Sequence, residues 1–318
     1  MKTKYIISFC TLLLLSVLII QVSAKSGTDL LSESFDLTGA RSSETQYYQM
    51  ESKLISIGLD GSQQGTDIFR LKLKWQSAVA DKPETCTCLE FTIQLAGTDE
   101  VAIPSLTDWS YPIEPGYDEH SQVFGIDHSK FDGLTDANGT PIPPDKTYHI
   151  YNAFIDFQSF CYTFAEPTTA GKGVQDLTRI GQKIVHAAAF TEPPVNLGSN
   201  VAEGSTYKNG EITLELKGLS LVNNKACALI AFDSGQSSYK MKMQPMPNME
   251  INTAGSSHYF GDIYKALDTN WVQRVTLGEI VVSETTLPMP PNKINSVIER
   301  KIVIQNVAEK TLWDQEKM

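Results

Sequence analysis

The sequence has no dense run of lysine and arginine, and no apolar stretch after its first 24 residues is long enough to cross a membrane. Acidic residues outnumber basic ones by 37 to 26, which gives a formal net charge of −11. We therefore expect no binding to nucleic acid. Because 41% of the residues are hydrophobic and only 20% are charged, a packed core is expected rather than a disordered chain.

Enzyme motifs with a defined spacing are also missing. The chain contains no phosphate-binding glycine loop and no dinucleotide-binding fingerprint. None of its five histidines lies in a nucleophile elbow or in a zinc-protease motif. The spacing of His120 and His128 with the neighbouring aspartates matches no metal-binding motif either. We therefore expect no cofactor, and binding rather than catalysis, while an enzyme stays an open alternative.

Residues 1–24 have the composition of a cleaved export signal. Two lysines precede an apolar stretch at residues 6–20, and Val22 and Ala24 are the small residues that a signal peptidase recognises. The alternative is an uncleaved anchor helix, but this stretch is shorter than the roughly 20 residues that a spanning helix needs. The sequence therefore predicts a signal peptide and a secreted or periplasmic mature protein without a transmembrane segment.

Four cysteines remain after the predicted cleavage, namely Cys86, Cys88, Cys161 and Cys227. An even number in an oxidising compartment favours disulfides, and four cysteines allow three pairings. Cys86 and Cys88 would share one face of a strand about 6.6 Å apart, near the upper limit for a direct bridge. We therefore expect at least one of them to reach Cys161. Cys227 lies in an apolar strand-like run, where a bridge and a buried thiol both fit.

Most of the chain has the alternation that is typical of β-strands. Residues 69–75 alternate between apolar and basic side chains, which predicts a strand with one buried face. Residues 148–157 form an aromatic, β-branched run that we interpret as a strand buried on both faces, although Asp156 within it would need a partner. Residues 174–190 predict a short turn followed by a strand. Many short strands separated by turns indicate an all-β fold with antiparallel β-sandwich architecture and little helix.

The longest break between strand-like segments is residues 191–209, which are rich in proline, glycine and asparagine. About six candidate strands lie on either side, so two sandwich-like domains of ordinary size fit, at residues 46–190 and 210–318. A single larger sandwich is the alternative. Residues 25–45 are polar and serine-rich, and we expect them to form a tether or an edge strand.

The long loop at residues 105–133 carries the first candidate binding site. Asp108, Trp109, Tyr111 and Tyr117 combine a carboxylate with aromatic rings on a loop, where binding residues are often found. Aromatic faces stack on sugar rings, so we expect an extracellular carbohydrate or another surface polymer as the ligand of a non-catalytic binding or matrix protein. The alternative is that Trp109 and Tyr111 close the end of the core, because large aromatic side chains are usually buried.

Four of the eight methionines fall within nine residues, namely Met241, Met243, Met246 and Met249. Soft thioether ligands select Cu(I), so metal handling is the second hypothesis. The alternative is packing, because Met241 and Met243 continue the apolar face that begins at Tyr239.

A third hypothesis is a polysaccharide-acting enzyme on a β scaffold. Alternation would place His258 and Asp262 on the same side of one strand, where they could form an acid–base pair. This hypothesis requires these residues or His120 to converge in one cleft. A structural hydrogen bond is the alternative, because buried polar groups are usually hydrogen-bonded.

Overall fold

The computed structural model describes residues 31–38, 41–78, 83–114, 125–163, 173–191, 201–246 and 249–313. The residues from Phe35 onwards belong to one compact unit. The predicted signal peptide, Tyr117 and His120 lie outside the described residues. Within the ranges given, no helix has both the length and the apolar character needed to span a bilayer.

The chain folds mainly into antiparallel strands, which confirms the predicted all-β class. In the described part of the chain, thirteen strands join into one open sheet, and helix α1 packs against one face of it, here called the inner face. The elements are β1 (Gln46–Ile57), β2 (Gln63–Gln76), β3 (Thr85–Gln94), β4 (Val101–Ala102), β5 (Trp109–Pro112), α1 (Pro144–Gln158), β6 (Lys183–His186), β7 (Phe190–Thr191), β8 (Thr206–Lys208), β9 (Ile212–Val222), β10 (Lys225–Met246), β11 (Met249–Ala266), β12 (Val272–Thr286) and β13 (Lys293–Val307).

Strands from the two ends of the chain meet within this sheet. Its order is β4-β3-β2-β1-β13-β12-β11-β10-β8-β7, while β5 pairs with β3, and β9 pairs with β10 and β6. Described strands from both sides of residues 191–209 therefore share one sheet, and the division into two domains at this break stays a prediction. The physical reason is that β1 finds hydrogen-bonding partners on both edges, β2 on one and β13 on the other.

Period-two alternation decides which side chains enter the core. On β2, the four apolar residues within 69–75 are each at most 1% exposed, as the pattern predicts. On β3, a bulge makes Leu89 an extra residue, so the phase of burial changes there. Cys86 and Cys88 are buried before the bulge, and Phe91 is buried after it.

The segment at residues 148–157 is helical, so its interpretation as a strand is wrong. Pro144 occupies the first helical position and Asp145 lies in the first turn, and both favour the start of a helix. The run is apolar around most of the helix, and periodicity alone does not distinguish such a helix from a buried strand. The buried positions recur every three or four residues and include Thr147, Ile150, Phe154 and Phe157.

The segment at residues 174–190 follows its prediction. A 3-10 turn at Val174–Asp176 comes first, and the short strand β6 follows it.

Aromatic rings fill the space between α1 and the sheet. Phe154 stacks on Phe91 of β3 with ring centroids 5.7 Å apart. Phe157 contacts Tyr48 of β1 and Trp75 of β2 at 5.2 and 5.6 Å. These contacts hold the helix in one orientation, which determines the side chains that it presents to the site described next.

Candidate functional site

Three polar side chains lie side by side on the inner face. Tyr259 on β11 is opposite Glu279 on β12, which is opposite Arg300 on β13. Directly opposed residues have Cβ atoms about 5 Å apart, which is within reach for side-chain hydrogen bonds. Arg300 donates from Nε to Oε2 of Glu279 and from Nη2 to the hydroxyl of Tyr259, both at 2.7 Å.

Helix α1 contributes a fourth side chain to this group, Asp156. Its Oδ2 accepts a hydrogen bond of 2.7 Å from Nη1 of Arg300. Asp156, Glu279 and Arg300 are only 8%, 5% and 6% exposed. Two buried carboxylates therefore face one guanidinium, and the group carries a net charge of −1 when all three are ionised. We call Asp156, Tyr259, Glu279 and Arg300 the charge cluster.

Burial and charge together alter the titration of this region. Burial raises the pKa of Asp156 to about 6, although the attraction of Arg300 opposes the change. His149, on the same helix, has its pKa lowered to about 4 by burial and by the positive charge of Arg300. Burial alone would lower the pKa of Arg300, but the charges of Asp156 and Glu279 outweigh it and raise that pKa. At neutral pH the arginine is therefore charged and the histidine neutral.

A cavity of about 210 Å³ lies between α1 and the inner face, beside the charge cluster, and is partly open to solvent. Its lining includes Glu279 and Arg300. Wider hollows of about 490 and 550 Å³ occur elsewhere on the sheet, but they are more open. Apolar walls with a few polar groups are typical of small-molecule sites. The lining includes four tyrosines, namely Tyr148, Tyr207, Tyr239 and Tyr259.

A second ion pair attaches the first turn of α1 to the sheet. Nζ of Lys146 lies 2.7 Å from Oδ2 of Asp67 on β2. Asp67 is opposite Leu54 of β1, and Leu54 is opposite Arg300. Because both ends of the helix are bound to the same row of paired residues, Tyr148 is held at the wall of the cavity.

The loop predicted to bind carbohydrate is partly taken into the core. Tyr111 is 2% exposed, and its hydroxyl accepts a hydrogen bond of 3.0 Å from Nε2 of Gln158. Trp109 is half-buried and packs on Tyr111 with ring centroids 4.9 Å apart. Asp108 is exposed, but the ring of Tyr111 has almost no surface for a sugar. Since Tyr117 lies outside the described residues, a ligand at this loop stays a prediction.

The four methionines do not form one cluster. Met241 lines the cavity, whereas Met246 and Met249 face each other near the β10–β11 turn. Met241 and Met246 are five strand residues apart, a span of roughly 16 Å. Cu(I) binding by a smaller set of these sulfurs stays a prediction. In the described part of the chain, no three histidine, cysteine or acidic side chains come together as a metal site.

His258 is paired with Asp233 instead of Asp262. Its Nε2 lies 2.8 Å from Oδ1 of Asp233, and both side chains are about half exposed. Asp262 is four residues further along the same strand, a distance of about 13 Å. His258 and Asp262 therefore do not form the predicted acid–base pair, and His120 lies outside the described residues.

No S–S bond joins the four described cysteines, so the structure differs from the predicted disulfides. Cys86 and Cys88 lie on the buried face of β3, where they pack as small apolar side chains. Burial raises the pKa of the Cys86 thiol to about 12, so its reactive thiolate form is rare at neutral pH. Cys161 follows α1 in a π-helical turn and does not lie in a strand, and Cys227 is buried on β10.

Sequence reasoning missed most of this cavity. The one signal was Asp156, a carboxylate in an apolar run that needed a partner. That partner, Arg300, is 144 residues away in the sequence and could not be identified from local patterns.

Comparison with known proteins does not identify a family. No family model matches the chain, and no curated protein matches it. A solved structure described as "Asymmetric conductivity of engineered proteins" is 11% identical, with 83% of this chain and 99% of that chain covered and a TM-score of 0.10. A likeness this weak carries no argument about fold or function. The function is therefore argued from the site.

Proposed function

We propose that this protein is an exported, non-catalytic binding protein that holds a small molecule in the tyrosine-lined cavity. The observation that carries the proposal is the cavity's position against the buried charge cluster. Core packing alone does not call for such a cluster, because apolar replacements of buried ion pairs are often neutral or stabilising. Buried ionisable groups with shifted pKa values in a cleft are candidates for a functional site.

The arrangement of polar groups at the cavity favours binding over catalysis. Arg300 holds the other members of the charge cluster, so these groups are already engaged with one another. Nδ1 of His149 is buried and has no hydrogen-bond partner in the part of the chain that the structure describes, so no described group orients this imidazole as a general base. The hydroxyl of Ser257 lies 3.5 Å from that of Tyr207, which is a weak contact and not an activated nucleophile.

The proposal keeps the binding role predicted from the sequence and assigns it to another place. Tyrosine faces and the polar groups of Asn152 and Ser257 also suit a sugar ring, so carbohydrates belong in the search for ligands. The walls combine apolar and polar groups, which favours a compact molecule with both characters.

A screen of small molecules by ligand-observed NMR tests the proposal. Met241→Trp, which fills the cavity, should weaken the hits at least about tenfold, while Met243→Trp, two residues away and outside the lining, should not. Hits that bind equally well to Met241→Trp would contradict the proposal. N-terminal sequencing of the exported protein should begin at Lys25, and a leader retained on intracellular protein would contradict export.

A further inference from the structure

The walls of the cavity have an arrangement that attracts positive charge. Tyr148, Tyr207 and Tyr239 contribute three aromatic rings from three different elements, while the ring of Tyr259 beside them already has the guanidinium of Arg300 5.2 Å from its centroid. The face of an aromatic ring carries negative electrostatic potential, and several rings around one space are a known way to bind an ammonium group. Met241 adds a polarizable thioether to the same walls.

Glu279 adds a formal negative charge to these walls. Its Oε2 is bound by Nε of Arg300, and the residue itself lines the cavity. Burial is the main cause that raises the pKa of Tyr239. A hydrogen bond with Ser283 opposes this change, and the negative charge of Glu279 adds to it. Glu279 and Tyr239 both line the cavity, so the carboxylate and this ring face the same space.

Arg300 also lines the cavity, but its charge is more than balanced. Its three hydrogen bonds go to Asp156, Glu279 and Tyr259. Two carboxylates against one guanidinium leave one excess negative charge, and an anionic ligand would have to compete with both carboxylates. The other described charges nearby change little, since His149 is neutral at pH 7 and Lys146 is paired with Asp67.

We infer that the cavity binds a small organic cation, with its ammonium group between the tyrosine rings and the carboxylate of Glu279. This inference rests on the proposed binding function and names the ligand class for the same site. The cavity of about 210 Å³ restricts the ligand to a few heavy atoms around the charged group. The ammonium group supplies the positive charge that would neutralise the charge cluster.

Calorimetric titration of the mature chain with choline and with 3,3-dimethylbutan-1-ol tests this assignment. The two molecules have nearly the same shape, but only choline is charged. Choline should bind at least about tenfold more tightly at pH 7.5, and sodium propionate should bind more weakly than either. Equal or tighter binding of the neutral alcohol, or preference for propionate, would overturn the assignment.

Two variants locate the effect within the protein. Glu279→Gln should weaken choline at least about tenfold and leave the neutral alcohol unchanged, whereas Glu284→Gln on the same strand, paired with Lys293 outside the cavity, should change neither. If Glu279→Gln does not fold, Tyr239→Leu keeps every formal charge and should weaken choline more than the alcohol. Its control is Tyr264→Leu, which lies outside the lining.

Failure of this inference is distinguishable from failure of the proposed function. If choline does not bind but neutral or anionic hits respond to Met241→Trp, the cavity is a binding site and the cation assignment is wrong. If no compound of any charge responds to Met241→Trp, the proposed function and the assignment are both wrong.

Discussion

The guanidinium of Arg300 on β13 donates a hydrogen bond of 2.7 Å to the carboxylate of Asp156 on α1. This contact attaches the helix to the sheet where β13 lies between β1 and β12. Both side chains are buried, so neither can exchange its partner for water. The stability of the fold and the shape of the cavity therefore depend on the same pair.

Arg300→Met should lower the free energy of unfolding by about 3–5 kcal/mol, because it leaves two carboxylates buried without their counter-charge. Urea unfolding followed by tryptophan fluorescence measures this change. Lys301→Met, at the next position with its side chain 55% exposed, is the control and should change stability by less than about 0.5 kcal/mol. A loss below about 1 kcal/mol in Arg300→Met would show that the cluster is not a structural centre.

Asp156 should make folding less favourable as the pH rises. Its pKa is raised from 3.8 to about 6 in the folded protein, so its contribution to stability is complete below pH 3.8 and is lost as the pH rises through 6. The loss is about 3 kcal/mol. The difference between the stability curves of the wild type and Asp156→Asn isolates this contribution, because the contributions of the other groups cancel. A difference that does not decrease as the pH rises from 4 to 6 would be inconsistent with this titration.

His149 should act in the opposite direction. Its pKa is lowered from 6.5 to about 4, so its contribution is complete above pH 6.5 and is lost as the pH falls through 4, again by about 3 kcal/mol. The difference between wild type and His149→Gln should therefore fall on acidification. In the wild type the two contributions offset each other between about pH 4 and 6, and each single variant should expose the other one. A flat difference curve for His149→Gln would argue against a buried, neutral imidazole.

Phe154→Ala should cost about 3–5 kcal/mol, because its ring is fully buried and the space it leaves cannot close easily. Phe154 stacks on Phe91 and contacts Trp109 edge-on, so near-ultraviolet circular dichroism should also change. Phe260→Ala, at a site 48% exposed, should cost less than about 1 kcal/mol. Similar losses in the two variants would mean that α1 does not pack as the structure shows.

In a chain that begins at Lys25, the four thiols should react slowly with a disulfide reagent in the native state and rapidly after unfolding. Burial raises the pKa of the Cys86 and Cys88 thiols, and all four cysteines are buried. Reagent absorbance counts the thiols, and non-reducing peptide mass mapping tests for bridges. Fewer than four thiols after unfolding without reductant would restore the disulfide prediction.

Local patterns predicted much of the strand structure, because alternation depends only on neighbouring residues. The buried face of residues 69–75 and the turn and strand within 174–190 were predicted in this way. The helix at Pro144–Gln158 was missed because an apolar, aromatic run has no distinguishing period. The burial of Tyr111 was left open by its sequence and decided by its neighbours in the fold.

The amino-acid sequence by itself determined the all-β class and which faces of its strands are apolar, because both follow from side-chain periodicity within a few residues. Tertiary structure alone decided that β1 pairs with β13 and that Asp156 meets Arg300. It also decided that four tyrosines line one cavity, namely Tyr148, Tyr207, Tyr239 and Tyr259. Strand register and the packing of α1 bring these residues together across more than a hundred positions, and no local pattern records which distant edges will share hydrogen bonds.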